Sequence, residues 1–170
     1  MIAGGYALYR YQYPYGYNHC CDIIIYQALV DYADKHGGAF PAGEATPEAS
    51  LSLLHSGSVL MGDSAYYLAG KTRSEARAKA ILDSGRLLGP DTCGWNYVEG
   101  LRIDSNPDLA LFWDKEGLGH VSERLRGGGH IVRFVGGRIE HIPASRWNAF
   151  IQQQRELRAE EKRRVQDRKP

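Results

Sequence analysis

Three histidines in the C-terminal half are the residues of this chain best suited to catalysis: His120, His130 and His141. An imidazole exchanges protons near neutral pH and also binds metal ions, so it serves as a general base or as a ligand. If the three converge on one concave pocket, they indicate a small enzyme or a ligand-binding or metal-binding module. No nucleophile elbow, zinc-protease signature or Cys/His catalytic signature accompanies them, and this class therefore stands as an alternative.

A short acidic loop carries the oxygen ligands that calcium prefers. Asp104, Asn106 and Asp108 follow one another at alternate positions, and we take them as candidate metal ligands. The loop is not an EF-hand, because its spacing differs and no bidentate Glu stands at the twelfth position. The same residues also fit an Asx turn between two strands. The sequence thus predicts either no cofactor or calcium.

The N-terminal segment is unusually rich in tyrosine. Five of its tyrosines alternate strictly, so that in an extended chain they share one face. Such a row can form an aromatic platform for a partner, or it can be an edge strand whose rings cover the core and which breaks at Pro14 and Gly16. The candidate partner-binding residues are Tyr9, Tyr11, Tyr13, Tyr15 and Tyr17. We call residues 1–21 the tyrosine arm.

The three cysteines match neither a zinc site nor a Cys-x-x-Cys redox motif. Cys20 and Cys21 are adjacent and follow His19, but three consecutive side chains point in different directions and do not readily converge on one ion. We expect reduced, buried thiols. In an oxidising compartment Cys93 could instead pair with Cys20 or Cys21.

Composition narrows the classes of partner. The chain has 170 residues and a formal net charge of +1, which suits one domain and gives no reason to expect nucleic acid or a membrane surface. Residues 155–170 are mostly charged, and their interleaved acids argue against nucleic acid as well. We find no signal peptide and no run long enough for a membrane span. The chain as written is therefore expected in the cytoplasm, and in the cell envelope if it is a truncated member of an anchored family.

Capping and periodicity signals predict several helices. Asp22 to His36 shows apolar residues at helical spacing and ends at Gly37-Gly38. Thr46-Pro47 begins a second helix, and Thr72-Arg73-Ser74-Glu75 forms a capping box that begins a third. Residues 59–70 show no clear period and are expected to be a strand or a loop.

The second half predicts an antiparallel sheet. Two β-rich runs flank Gly136-Gly137, which is a strong hairpin signal, and two further runs lie at 95–98 and 108–113. A last helix begins near Ala144. We predict an α+β fold: an N-terminal helix packed on a small antiparallel sheet, with short helices and a C-terminal helix. Residues 22–154 form the domain, and 155–170 form a helical or disordered tail.

The order of these motifs resembles the globular part of the pseudopilin-like proteins of the type II secretion or prepilin type, found in planctomycete-type bacteria. The resemblance covers roughly residues 23–150. It depends on four collinear segments and on the glycine-rich hairpin and Pro-led last helix that follow them. The segments are residues 32–41, 49–54, 93–101 and 107–114.

This resemblance implies a non-enzymatic protein that works through protein contacts or self-association. Family members are usually anchored in the membrane by the first half of their N-terminal helix. Here the tyrosine arm stands where the apolar anchor would be. The family's hairpin typically carries a His, then nine residues, then Asp-Gly, whereas this chain has Arg126 and Gly136-Gly137 at those positions. A function that depended on that His and Asp does not carry over.

Overall fold

A computed structural model describes residues 2–17, 22–60 and 62–167, with the side chains of residues 2–4 excepted. Seven helices and four strands make up the described part of the chain. The helices are α1 Ile2–Gln12, α2 Asp22–Lys35, α3 Pro47–Leu51, α4 Leu53–Ser56, α5 Ser64–Ala69, α6 Glu75–Asp83 and α7 Ala144–Asp167. The strands are β1 Trp95–Tyr97, β2 Ala110–Asp114, β3 His130–Phe134 and β4 Ile139–Ile142. The predicted α+β class is confirmed.

The four strands form one antiparallel sheet in the order β1-β2-β3-β4. Strands β3 and β4 are the hairpin predicted around Gly136-Gly137; Gly137 has a φ of +83°, a conformation that favours glycine. A register irregularity interrupts the pairing of β2 with β3 between Ala110 and Phe112. Each strand neighbours the next one in sequence, which makes the sheet a meander.

Helix α2 packs on one face of the sheet, as predicted. Its buried residues Ile25, Ala28 and Leu29 join the main core cluster, which also includes Trp95 and Phe112 from the strands. The short helices α3 to α6 add to the same cluster through residues such as Leu51, Leu54, Leu68 and Leu82. This cluster is the larger of the two cores, and it fixes the position of α2 relative to the sheet.

Helix α7 covers the other face of the sheet. Phe150 packs with Val132, Phe134 and Ile142 in a second, smaller core. The helix continues without a break through residues 155–167, so this part of the charged tail is helical. Near its end Arg164 donates to the backbone oxygen of Asp104.

Three local predictions were wrong. Residues 9–12 belong to helix α1, Ile2–Gln12, although the alternating tyrosines from Tyr9 to Tyr17 had indicated an extended chain there. The segment at 59–70, expected to be a strand or a loop, contains helix α5, whose N-cap Asp63 accepts a hydrogen bond from the Tyr66 amide. The third predicted helix, α6, is capped by Ser74 and not by Thr72, because the Ser74 hydroxyl accepts from the Arg77 amide.

Within the described ranges, none of the helices is both long enough and apolar enough to cross a membrane.

Candidate functional site

The three histidines of the enzyme or ligand-binding alternative have different contacts. The Nδ1 atom of His130 is 2.9 Å from the Asp114 backbone oxygen, and the His130 ring lies 4.3 Å from that of Trp147. The Nε2 atom of His141 is 2.8 Å from the Gly128 oxygen. The strand register pairs His130 with Ile142, so the neighbouring His141 belongs to the opposite face of the sheet.

Through its pairing with Ile131, His141 belongs to the side of the sheet that faces α2, and so does His120. The Nδ1 atom of His120 is 3.6 Å from a carboxylate oxygen of Asp22, at the start of α2. The three rings therefore do not form the convergent pocket on which the enzyme alternative depends. Nor do His, Cys, Asp and Glu form any group of three or more arranged to hold a metal ion, as far as the described residues go.

The predicted calcium ligands have protein partners. Asp104 pairs with Arg102 at 3.1 Å, and Asp108 pairs with Arg138 at 3.1 Å. The Asn106 side-chain oxygen accepts from the Asp108 amide at 3.0 Å, which is an Asx turn. The Asx-turn interpretation is thus confirmed, and the calcium interpretation stays a prediction. The soft-ligand cluster considered from the sequence, His19, Cys20 and Cys21, lies outside the described residues.

Three rings of the tyrosine arm form a ladder of neighbouring contacts. Tyr9 and Tyr13 have ring centroids 5.2 Å apart, and Tyr13 and Tyr17 are 5.8 Å apart. Tyr9 and Tyr11 belong to α1, which turns once in about 3.6 residues, whereas Tyr13 and Tyr17 follow its end at Gln12. The expected common face of all alternate tyrosines is therefore absent from this helical part, and Tyr11 lies on a different side from Tyr9.

Most aromatic rings of the arm face solvent. The exposed fractions are 68% for Tyr6, 66% for Tyr11, 63% for Tyr17, 54% for Tyr15 and 43% for Tyr9. Leu8 is also 68% exposed. Among the described residues the buried apolar core begins at Ile25, so the arm adds an aromatic surface and no core.

One residue of the β2–β3 connection fastens the arm to the domain. Arg124 donates from Nε to the Tyr11 backbone oxygen at 2.8 Å, and its amide donates to the Gln12 oxygen at 2.8 Å. Its guanidinium also lies 5.3 Å from the centre of the Tyr11 ring. A short bridge between Leu118 and Arg124 holds this part of the connection together.

A group of buried charges lies behind the same connection, and sequence reasoning missed it. Asp114 is 1% exposed, and its Oδ1 atom accepts from the amides of Glu116 and Leu118. Burial raises the pKa of Asp114, while the charge of Lys71 and these hydrogen bonds oppose the rise. Lys71, 8% exposed, donates to the Leu118 oxygen at 3.3 Å.

The start of α2 is joined to the sheet by a second part of this group. Asp22 forms an ion pair with Arg133 of β3, and both side chains are largely buried. Arg133 also donates to the Gly137 oxygen at 2.9 Å, and its guanidinium lies 5.5 Å from the Tyr26 ring centre. Charges separated by more than 100 positions in sequence therefore meet where α2 begins.

A second contact that sequence reasoning missed joins α4 to α5. The Nδ1 atom of His55 is 2.7 Å from the Ser64 hydroxyl oxygen, a nucleophile–base distance. The two nearby carboxylates have other roles, since Asp63 caps α5 and Asp83 pairs with Lys79. We therefore read the His55–Ser64 contact as a tie between two helices.

No family of known proteins matches this chain, and neither does any curated protein or solved structure.

Proposed function

We propose that this chain is a non-enzymatic, pseudopilin-like module that acts through protein–protein contacts, in type II secretion or in a soluble derivative of it. The tyrosine arm and the open edge of the sheet are its contact surface. The alternative, a small enzyme or ligand-binding module built on His120, His130 and His141, gains no support from their separate positions.

The architecture supports this proposal because it is the one that the pseudopilin resemblance implies. Helix α2 lies against a four-stranded antiparallel meander, and the glycine-rich hairpin β3–β4 supplies the last two strands. Strand β4 ends the sheet, and among the described strands it pairs only with β3. An edge of this kind can receive a further strand from a partner.

The observation that carries the proposal is the exposure of the arm. Tyr6, Leu8, Tyr11, Tyr15 and Tyr17 are each more than half exposed within one short segment. Apolar surface that a soluble protein leaves exposed often marks an interaction site. Tyrosine is also enriched at protein interfaces, where its ring is buried while its hydroxyl keeps a polar partner.

The test is association with and without the arm. A chain lacking residues 1–17 should keep its fold, because the buried core begins at Ile25, but should lose self-association in sedimentation velocity or partner capture in pull-downs. Replacing Tyr6, Tyr11 and Tyr15 by Ser should have the same effect. The matched control replaces Ile103 and Val165, exposed apolar residues outside the arm. Unchanged association in both arm variants would make the arm purely structural.

A further inference from the structure

A small cavity lies between the start of α2 and strands β2 and β3. Its volume is about 30 Å³, which exceeds the roughly 10–15 Å³ that one water molecule needs. Five of the ten residues that line it are polar or charged, and the others are apolar, such as Phe112 and Ile131. The polar lining residues are Asp22, Lys71, Asp114, His120 and Arg133.

Two atoms of this lining lack a hydrogen-bond partner. They are Oδ2 of Asp114 and Nε of Arg133, each fully screened from solvent. Asp114 is 1% exposed and Arg133 is 9% exposed. Leaving such a buried group unpaired costs on the order of 1–3 kcal/mol, and more where it is charged. Buried polar groups in folded proteins are nearly always satisfied by protein or by ordered water.

The strand register places both side chains on one face of the sheet. Arg133 pairs across the strands with Phe112, and Asp114 follows Phe112 by two residues. Side chains two apart on a strand share a face. The unpaired donor and the unpaired acceptor therefore border the same cavity from neighbouring strands.

The chemistry of the lining selects the ligand. The group must accept from an N–H and donate to a carboxylate oxygen. The positive charges of Lys71 and Arg133 repel a cation, and the negative charges of Asp22 and Asp114 repel an anion. A neutral occupant is therefore favoured. Water has the required donor, acceptor and size.

We propose that this cavity is a binding site for an internal water molecule that accepts from Nε of Arg133 and donates to Oδ2 of Asp114. Lys71 lines the same cavity and supplies a third polar group, in keeping with the two to four partners that buried waters have. The water would join β2 to β3 directly behind the Asp22–Arg133 pair, and so strengthen the attachment of α2 to the sheet.

A crystal structure of the full chain, grown with bromide in place of chloride, tests the proposal. We expect one peak within about 3.2 Å of both Asp114 Oδ2 and Arg133 Nε, without anomalous signal at the bromine edge. An anomalous peak at this position would show that a halide ion, and not water, occupies the site. Direct contact between Asp114 and Arg133 with no density between them would also overturn the proposal.

NMR in solution tests whether the water is also bound outside a crystal. In NMR spectra of the wild-type chain, a long-lived internal water should give a cross-relaxation peak to the Nε proton of Arg133. The matched reference is the Nε proton of Arg102, whose side chain is 46% exposed and pairs with Asp104. A peak at Arg102 and none at Arg133 would contradict the proposed site.

Discussion

Arg124 holds the last turn of α1 through the backbone oxygen of Tyr11, which lies 2.8 Å from its Nε atom. A cation is favourable at this place because the final carbonyl groups of a helix have no partners within the helix. The neighbouring contact between the Arg124 amide and the Gln12 oxygen reinforces it. One residue of the β2–β3 connection thus sets the position of the proposed contact surface.

Replacing Arg124 by Ala should loosen the arm without unfolding the domain. The loss of a charged hydrogen bond and a ring contact corresponds to about 1–2 kcal/mol, so amides of residues 9–12 should exchange about 5- to 30-fold faster. Hydrogen exchange followed by mass spectrometry measures this. Arg126→Ala, an exposed arginine nearby, is the control and should leave the exchange unchanged. Equal rates in wild type and Arg124→Ala would mean that other contacts hold the arm.

Gln154 of α7 compensates for the irregular pairing of β2. Its Oε1 atom accepts from the Ala110 amide at 2.8 Å, and its Nε2 atom donates to the Asp108 oxygen at 3.1 Å. Gln154→Leu should therefore destabilise the fold by about 1–3 kcal/mol, because a buried backbone amide loses its partner. Urea denaturation measures the loss. Gln153→Leu, on the exposed side of the same helix, should change stability by less than about 0.5 kcal/mol.

Asp114 should make the protein respond to acid in a direction opposite to that of most carboxylates. Burial raises its pKa in the folded state above the ordinary 3.8. Between pH 3.8 and the raised pKa, the folded state binds more protons than the unfolded state. This group therefore adds stability as the pH falls through that window. Wild type should therefore gain stability relative to Asp114→Asn as the pH is lowered. If the free energies of unfolding of wild type and Asp114→Asn changed equally with pH over that range, the assignment would be contradicted.

The elements that could be predicted are those whose signals are local. Gly136-Gly137 indicates the hairpin because a tight turn between β-rich runs needs a residue with positive φ, which Gly137 supplies at +83°. Thr46 and Pro47 indicate the start of α3, where the Thr46 hydroxyl accepts from the Ala49 amide. Each of these signals is complete within a few residues.

The rest depends on contacts between distant segments. The alternation of the tyrosines indicates an extended chain, yet Tyr9 and Tyr11 belong to α1, whose last turn is held by Arg124 from a distant segment. The buried Asp114 was also unpredictable, since its partner Lys71 lies in a different part of the chain. A carboxylate that ends a strand gives no sequence signal of its burial.

Cys93 should be almost inert towards alkylating reagents while the protein is folded. It is fully buried, and burial raises the pKa of its thiol to about 12, so very little reactive thiolate forms near neutral pH. Iodoacetamide should modify it slowly in native protein and rapidly in urea. Peptide mapping by mass spectrometry separates Cys93 from Cys20 and Cys21. Rapid native modification of Cys93 would show that this part of the core opens readily.

The pair formed by Glu48 and Lys115 should contribute stability that disappears in acid. Their atoms are 2.6 Å apart, the side chains are 12% and 13% exposed, and Lys115 also donates to the Pro90 oxygen. Burial alone would raise the pKa of Glu48, but the hydrogen bond and charge of Lys115 outweigh it and lower the pKa below 4.5. Lys115→Met should cost about 3 kcal/mol near neutral pH, since it leaves a buried carboxylate unpaired.

This cost should shrink as the pH falls from about 4.5 towards the lowered pKa of Glu48, because protonation removes the charge that Lys115 neutralises. Urea denaturation of wild type and Lys115→Met at a series of pH values gives the difference directly. Lys79→Met removes the exposed pair with Asp83, and it should change stability little at any pH because solvent screens that pair. A Lys115→Met deficit that stays constant down to the acid limit would show that the lysine acts through packing and not through charge.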